Sequence, residues 1–304
     1  MAHPYVMTDN TLWLNWRGVE GDERLWNSSR SRDGAWAGAV ETRAAASAFA
    51  PAAASFADQA RLLTWVDQQG RIRAGRTAFG DELSSTGGEA TQFTGRPAIA
   101  MNGDSAVLAW SAAGSLQYAT GGPGHWTSPA PVGGFTDRAP ALAVLYNTAF
   151  CAWKQSGTEQ IMWSEHRLGA SSWSAPEPLP LVDGGASTSD VPALAVTGRG
   201  LAMAWKGVAN NDPRLWFSEW EPGGRWSTPH TVDPIDGAVL TSHGPGLAAF
   251  DGTLVLAWKG AGSDQRVWWS SRVDANRWAT PQITHPTINS AAGPSLVAYA
   301  ALHP

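Results

Sequence analysis

One cysteine, Cys151, stands in 304 residues, which excludes an intramolecular disulfide framework and any multi-cysteine zinc site. Charge is scarce: 15% of the chain, against about 25% in an average globular protein. The net charge of -5 leaves no basic footprint, so nucleic acid is not an expected partner. No apolar run approaches the length of about 20 residues that spans a bilayer. The first ten residues lack the basic and apolar regions of a signal peptide. A cytoplasmic location is therefore expected, with non-classical export left open. The histidines show no His-x-x-x-His spacing, so neither a metal nor another cofactor is expected. Against these shortages stands tryptophan, with 18 copies beside only 4 tyrosines.

The tryptophans follow a repeat. Apolar runs end in Leu14-Asn15-Trp16, Leu63-Thr64-Trp65, Leu108-Ala109-Trp110, Cys151-Ala152-Trp153, Met203-Ala204-Trp205 and Leu256-Ala257-Trp258. These six central tryptophans lie 49, 45, 43, 52 and 53 residues apart. A second aromatic follows at Trp26, Tyr118, Trp163, Trp216 and Trp268, and a third at Trp36, Trp126, Trp173, Trp226 and Trp278. Four of the third set continue as Trp-x-x-Pro, ending at Pro129, Pro176, Pro229 and Pro281. Upstream of the central tryptophans, Pro51, Pro97, Pro140, Pro192 and Pro245 each open a short apolar run.

Within a unit the period is that of strands. In Gly200–Trp205, large residues (Leu201, Met203, Trp205) alternate with small ones (Ala202, Ala204), which gives one bulky and one thin face. Gly, Asn, Asp and Pro punctuate the gaps. Four short antiparallel strands per unit, repeated, predict an all-β, six-bladed β-propeller. The expected organisation is one domain over 1–304. Its blades would run near 1–42, 43–92, 93–135, 136–184, 185–236 and 237–288, with a closing strand in 289–304. Blade 2 is degenerate, with Ile72, Arg73 and Leu83 where aromatics are expected. The Ala-rich stretch Arg43–Ala60 sits where a first strand belongs, although it also suits a short helix interrupted by Pro51. Pairing of the chain ends would close the ring and remove an exposed edge. Gly293–Tyr299 and His3–Met7 are both candidates to pair with Thr11–Trp16.

The most regular polar feature follows the central tryptophan: Trp16-Arg17-Gly18 with Asp22, Arg24 and Trp26; Trp205-Lys206-Gly207 with Asp212, Arg214 and Trp216; Trp258-Lys259-Gly260 with Asp264, Arg266 and Trp268. Blade 4 carries a variant of Trp153, Lys154, Glu159 and Trp163. Each hairpin offers a cation, an acid and indole faces. An indole accepts the C–H face of a pyranose, while charged groups bond its hydroxyls, so glycans are the leading expected ligand. Weak sites gain from multiplicity. The plainer alternative assigns most tryptophans to the blade-to-blade core and the Asp–Arg pairs to hairpin braces.

These segments resemble those of bacterial and fungal β-propeller lectins, particularly the tryptophan-rich Photorhabdus-type lectins and, more distantly, the six-bladed fucose lectins. The resemblance implies monosaccharide pockets between adjacent blades, built from tryptophan, arginine and acidic groups. The fucose lectins pair an arginine with a glutamate on the following strand, and no regular glutamate is found there. Blades 2 and 3 carry Asp67 and Ser111 where the basic residue is expected, so at most four sites follow. Ser31–Trp36 resembles the Asp-box of sialidases, but the other blades do not keep its Asp-Gly pair.

Polar residues that break the repeat point to an alternative. Two positions before the strand-opening proline stand Phe49, Gly95, Arg138, Asp190, His243 and Ala292, around the expected mouth of the central channel. His243 with Asp190 would make an acid–base pair, and Arg138 or Arg96 would stabilise an anion. Asp137, Asp236 and His285 lie in the same loops. This reading is an enzyme of cyclase, lyase or hydrolase type acting on a bulky apolar or cationic substrate. A scaffold for protein contacts is the third reading, and a homo-oligomer is left open.

Overall fold

A computed structural model of the chain describes residues 11–55, 61–76, 84–89, 93–122, 125–179, 186–198, 200–208, 212–220 and 226–298. Every regular element among them is a strand, and none is a helix. Six small antiparallel sheets form the blades of a propeller, and a short parallel pair, Asp233–Pro234 with Arg277–Trp278, joins the last two.

The inner strands are Ser295–Ala298 (blade 1), Ala52–Ser55 (blade 2), Ala98–Asn102 (blade 3), Ala141–Leu145 (blade 4), Ala193–Thr197 (blade 5) and Gly246–Phe250 (blade 6). Each lies beside the next, and blade 6 returns to blade 1. The strand that closes the ring is therefore Ser295–Ala298, paired antiparallel with Thr11–Arg17 through Leu12↔Ala298 and Asn15↔Ser295. His3–Met7 and Leu83 lie outside the described residues. The described part of the Ala-rich stretch, residues 43–55, holds strands and no helix. Val40–Ala46 is the outer strand of blade 1 and Ala52–Ser55 the inner strand of blade 2. In blades 4, 5 and 6 the outer strands are two residues each, Glu177–Pro178, His230–Thr231 and Gln282–Ile283, which leaves little open edge.

Alternation of large and small faces fills the space between blades. Leu201, Met203 and Trp205 of blade 5 pack on Phe150, Ala152 and Ile161 of blade 4. On the opposite face, Ala202 and Ala204 receive Leu254, Leu256 and Trp258 of blade 6. Blade 6 in turn offers Val255 and Ala257 to Leu12, Leu14 and Trp16 of blade 1. All six central tryptophans are buried in this way. Cys151 is buried among Val107, Ala109 and Trp153, and burial pushes its thiol well above the ordinary range, as befits an inert core residue.

The interface between blades 1 and 2 is thinner, with Leu25, Ala45, Leu63 and Trp65 as its apolar centre. Beside it the buried Arg61 lies over the Trp13 ring at 3.7 Å and donates to Asn15 Oδ1 at 2.9 Å. Burial lowers this guanidinium to about 10.

Candidate functional site

The repeated hairpins form first from local chemistry. In blade 5, Asp212 Oδ1 accepts from the Arg214 backbone N–H (3.0 Å) and from Arg214 Nε (2.8 Å). Its Oδ2 accepts from Arg214 Nη2 (3.1 Å) and Trp216 Nε1 (3.0 Å). The same four bonds recur around Asp22 with Arg24 and Trp26, and around Asp264 with Arg266 and Trp268. The guanidinium lies over the indole, 4.8–5.3 Å from the ring centroid in the three blades. Gly18, Gly207 and Gly260 make room for the carboxylate, since a Cβ there would run into it. The arginine bonds hold Asp212 and Asp264 at about 2, and Asp22 is lowered for the same reason.

This geometry sorts the expected binding residues. Trp16, Trp153, Trp205 and Trp258 are fully covered by neighbouring blades, so their ring faces are closed to a ligand. Lys154, Lys206 and Lys259 are buried and turn inward. Lys154 pairs with Asp137 at 3.1 Å, while Lys206 donates to Ser189 Oγ at 2.7 Å and Lys259 to Ser242 Oγ at 2.9 Å. What reaches solvent is the arginine, with side-chain exposures of 53% for Arg24, 55% for Arg214 and 53% for Arg266, beside a half-buried indole.

Blade 4 departs from the expected set. Trp153 pairs across the strands with Met162, whereas Trp16, Trp205 and Trp258 pair with Trp26, Trp216 and Trp268. Trp163 is therefore one residue out of register and points to the other face. It belongs with Phe217, Trp269 and Tyr118. Each of these rings meets the third-set tryptophan of the next blade edge to face: Trp226, Trp278, Trp36 and Trp173, at 73–84°. Trp163 is thus core, and exposed Glu159 stands 3.8 Å from Lys154 with no arginine beside it. A glutamate on the following strand occurs in blade 1, where Glu41 lies opposite Trp26 and accepts from Arg24 Nη1 at 3.3 Å. The corresponding positions of blades 5 and 6 hold Thr231 and Ile283.

The residues that break the repeat meet on the axis. A cavity of about 490 Å³ is lined from all six blades by Phe49, Gly95 with Arg96, Arg138, Asp190, His243 and Ala292. A repeated hydroxyl that sequence reasoning passed over sets their backbone. Two residues before each, the buried Ser47, Thr136, Thr188, Thr241 and Ser290 accept from the N–H of Phe49, Arg138, Asp190, His243 and Ala292 at 3.1–3.2 Å. The constant two-residue spacing is visible in the sequence, but Ser and Thr are too common there to stand out. Among the described residues no His, Cys, Asp and Glu group is arranged to hold a metal.

The expected acid–base pair is not formed, because no hydrogen bond joins Asp190 to His243. Asp190 Oδ1 accepts from the Val191 N–H (2.8 Å) and Oδ2 from the Gly244 N–H (3.1 Å), which ties blade 5 to blade 6. Ser242 Oγ lies 3.0 Å from His243 Nδ1, 3.0 Å from the Gly260 carbonyl and 2.9 Å from Lys259 Nζ, which donates to it. Burial, and then Lys259, Lys206 and Arg138, hold the imidazole below its ordinary range against the pull of Asp190.

No protein-family model and no curated protein matches the chain. Solved structures do. The fungal fucose-binding lectin of Aleuria aurantia, a six-bladed β-propeller, aligns with a TM-score of 0.64 at 11% identity, over 94% of this chain and 98% of that one. AofleA from Arthrobotrys oligospora gives 0.61 at 11% identity, over 99% and 93%. A chain of the nidogen/laminin complex gives 0.58 at 11% identity, over 94% and 98%. The fold is that of a six-bladed propeller. At this identity the likeness carries the architecture and not the ligand.

Proposed function

We propose that the chain is a carbohydrate-binding propeller, with sugar sites at the outer hairpins of blades 1, 5 and 6. The observation that carries this reading is the threefold recurrence of an exposed arginine clamped by a carboxylate over a half-buried indole. Because Asp212 occupies Nε and Nη2 of Arg214, Nη1 stays open to a sugar hydroxyl, and the same holds for Arg266. The clamp fixes the guanidinium before a ligand arrives, which reduces the entropy lost on binding. In blade 1, Glu41 adds an acceptor next to the donor, a pairing that matches vicinal hydroxyls, so this site is the strongest of the three. That fucose-specific lectins share the architecture supports the same ligand class. Blade 4 drops out because Met162 replaces the indole.

A glycan array followed by titration of the best glycan tests the proposal. Up to three equivalents per chain are expected, with binding lost in the Arg24→Ala, Arg214→Ala, Arg266→Ala triple variant. Wild-type binding by that variant, or an array with no glycan retained, overturns it.

A further inference from the structure

The axial cavity holds cationic groups that the fold does not consume. From blade 3, Arg96 reaches past blade 2 to blade 1 and donates through Nη1 to the Pro294 carbonyl at 3.3 Å. A guanidinium carries five N–H groups. The other four of Arg96 have no hydrogen-bond partner among the described residues, although the group lines the cavity and burial depresses its pKa. Arg138, exposed at the rim, makes no side-chain hydrogen bond or ion pair with any described residue. The cavity's carboxylate, Asp190, attracts Arg96 through space but makes no hydrogen bond with either arginine, since its two oxygens accept from backbone N–H groups. Contrast the hairpins, where every arginine has its carboxylate in a two-point clamp.

The remaining wall is mixed, with Thr94, Ser189, Lys206, Ser242 and His243 beside an apolar patch that includes Phe49, Ala139, Val191 and Ala292. A volume of about 490 Å³ suits a small organic molecule. Inorganic phosphate would satisfy the guanidinium groups but leave the apolar patch at Phe49 wet, and a molecule without a strong acceptor would leave the N–H groups of Arg96 unpaired in a half-buried site.

We infer that the axial cavity is a binding site for a small organic carboxylate, with its anionic end held by Arg96 and Arg138 and its apolar body against Phe49. The site is independent of the hairpin sugar sites and takes one ligand per chain. Isothermal titration with benzoate, its uncharged isostere benzamide and inorganic phosphate provides the test. Benzoate is expected to bind at one site, and benzamide at least about tenfold more weakly, the loss of a charge-assisted hydrogen bond. Arg138→Ala, which removes no contact of the fold, should weaken benzoate by about tenfold, and Arg96→Gln by more. Absence of benzoate binding, equal binding of benzamide, preferential binding of phosphate, or wild-type affinity in Arg138→Ala overturns the inference. Glycan titration of the same variants separates the two readings, since neither arginine belongs to a hairpin.

Discussion

The hairpins of blades 1, 5 and 6 and the axial loops draw on the same side chains, yet they use their charges differently. At Asp212 every acceptor site faces a donor, and Arg214 spends two nitrogens on it. On the axis, among the described residues, Arg96 has one hydrogen bond and Arg138 none from its side chain, while both oxygens of Asp190 bond backbone N–H groups. The repeated positions do the work of holding blades together, and function there must use what remains on their outer surface. Of the unique positions, Asp190 ties blade 5 to blade 6 and Arg96 spends one bond on Pro294. Arg138 makes no side-chain hydrogen bond among the described residues, so most of the cationic donors stay available.

The largest expected effect comes from breaking the repeated side at its core. Trp205→Ala empties the space between blades 4 and 5 and should destabilise by about 3–5 kcal/mol in urea titration. Next, Asp212→Ala leaves the Trp216 N–H and the guanidinium of Arg214 without their acceptor, at a cost of about 1–3 kcal/mol. Arg214→Ala keeps the Trp216–Asp212 bond and removes only an exposed pair, so it should cost less stability than Asp212→Ala while weakening glycan binding. A stability loss for Arg214→Ala as large as that for Asp212→Ala would erase the distinction between brace and binding group.

The contrast also extends to pH. Asp212 and Asp264 sit near 2 in the fold against an ordinary 3.8, so their contribution is complete above about 3.8 and is lost as pH falls from there toward 2. Asp212→Asn should flatten that acid limb in thermal melts. His243 acts in another window. Its folded value lies below 6.5, so above 6.5 neither folded nor unfolded chain is protonated there and the residue is silent. As pH falls below 6.5 the unfolded chain takes up the proton first and stability declines. An NMR titration of the imidazole should place its midpoint below 6.5, and a midpoint above it would reverse the sign. The smallest effect belongs to Arg138→Ala, expected within about 0.5 kcal/mol of wild type.

The blade count and the ring were legible because a propeller repeats its landmarks, so six central tryptophans report six interfaces even where one blade has lost its other aromatics. Trp163 shows where spacing stops being informative. The hairpin of blade 4 differs in length from those of blades 5 and 6, so distance along the chain could not say whether Met162 or Trp163 faces Trp153, and a single step reverses the face. The axial set was legible for the opposite reason, since it is found by subtracting what repeats. Whether Asp190 would meet His243 was not, because the direction of each side chain depends on loop backbone that Thr188 and Thr241 fix from two residues away.

Closure of the ring by Ser295–Ala298 carries a consequence in time. On a ribosome, the Thr11–Arg17 strand emerges before Ser295–Ala298 and must wait for that distant partner. Throughout synthesis blade 1 presents an unpaired edge flanked by Leu12 and Leu14, the kind of surface that recruits other chains. Contacts of such long separation also slow folding. Misassembly during synthesis is therefore a hazard for this architecture, and its cure arrives with Ser295–Ala298.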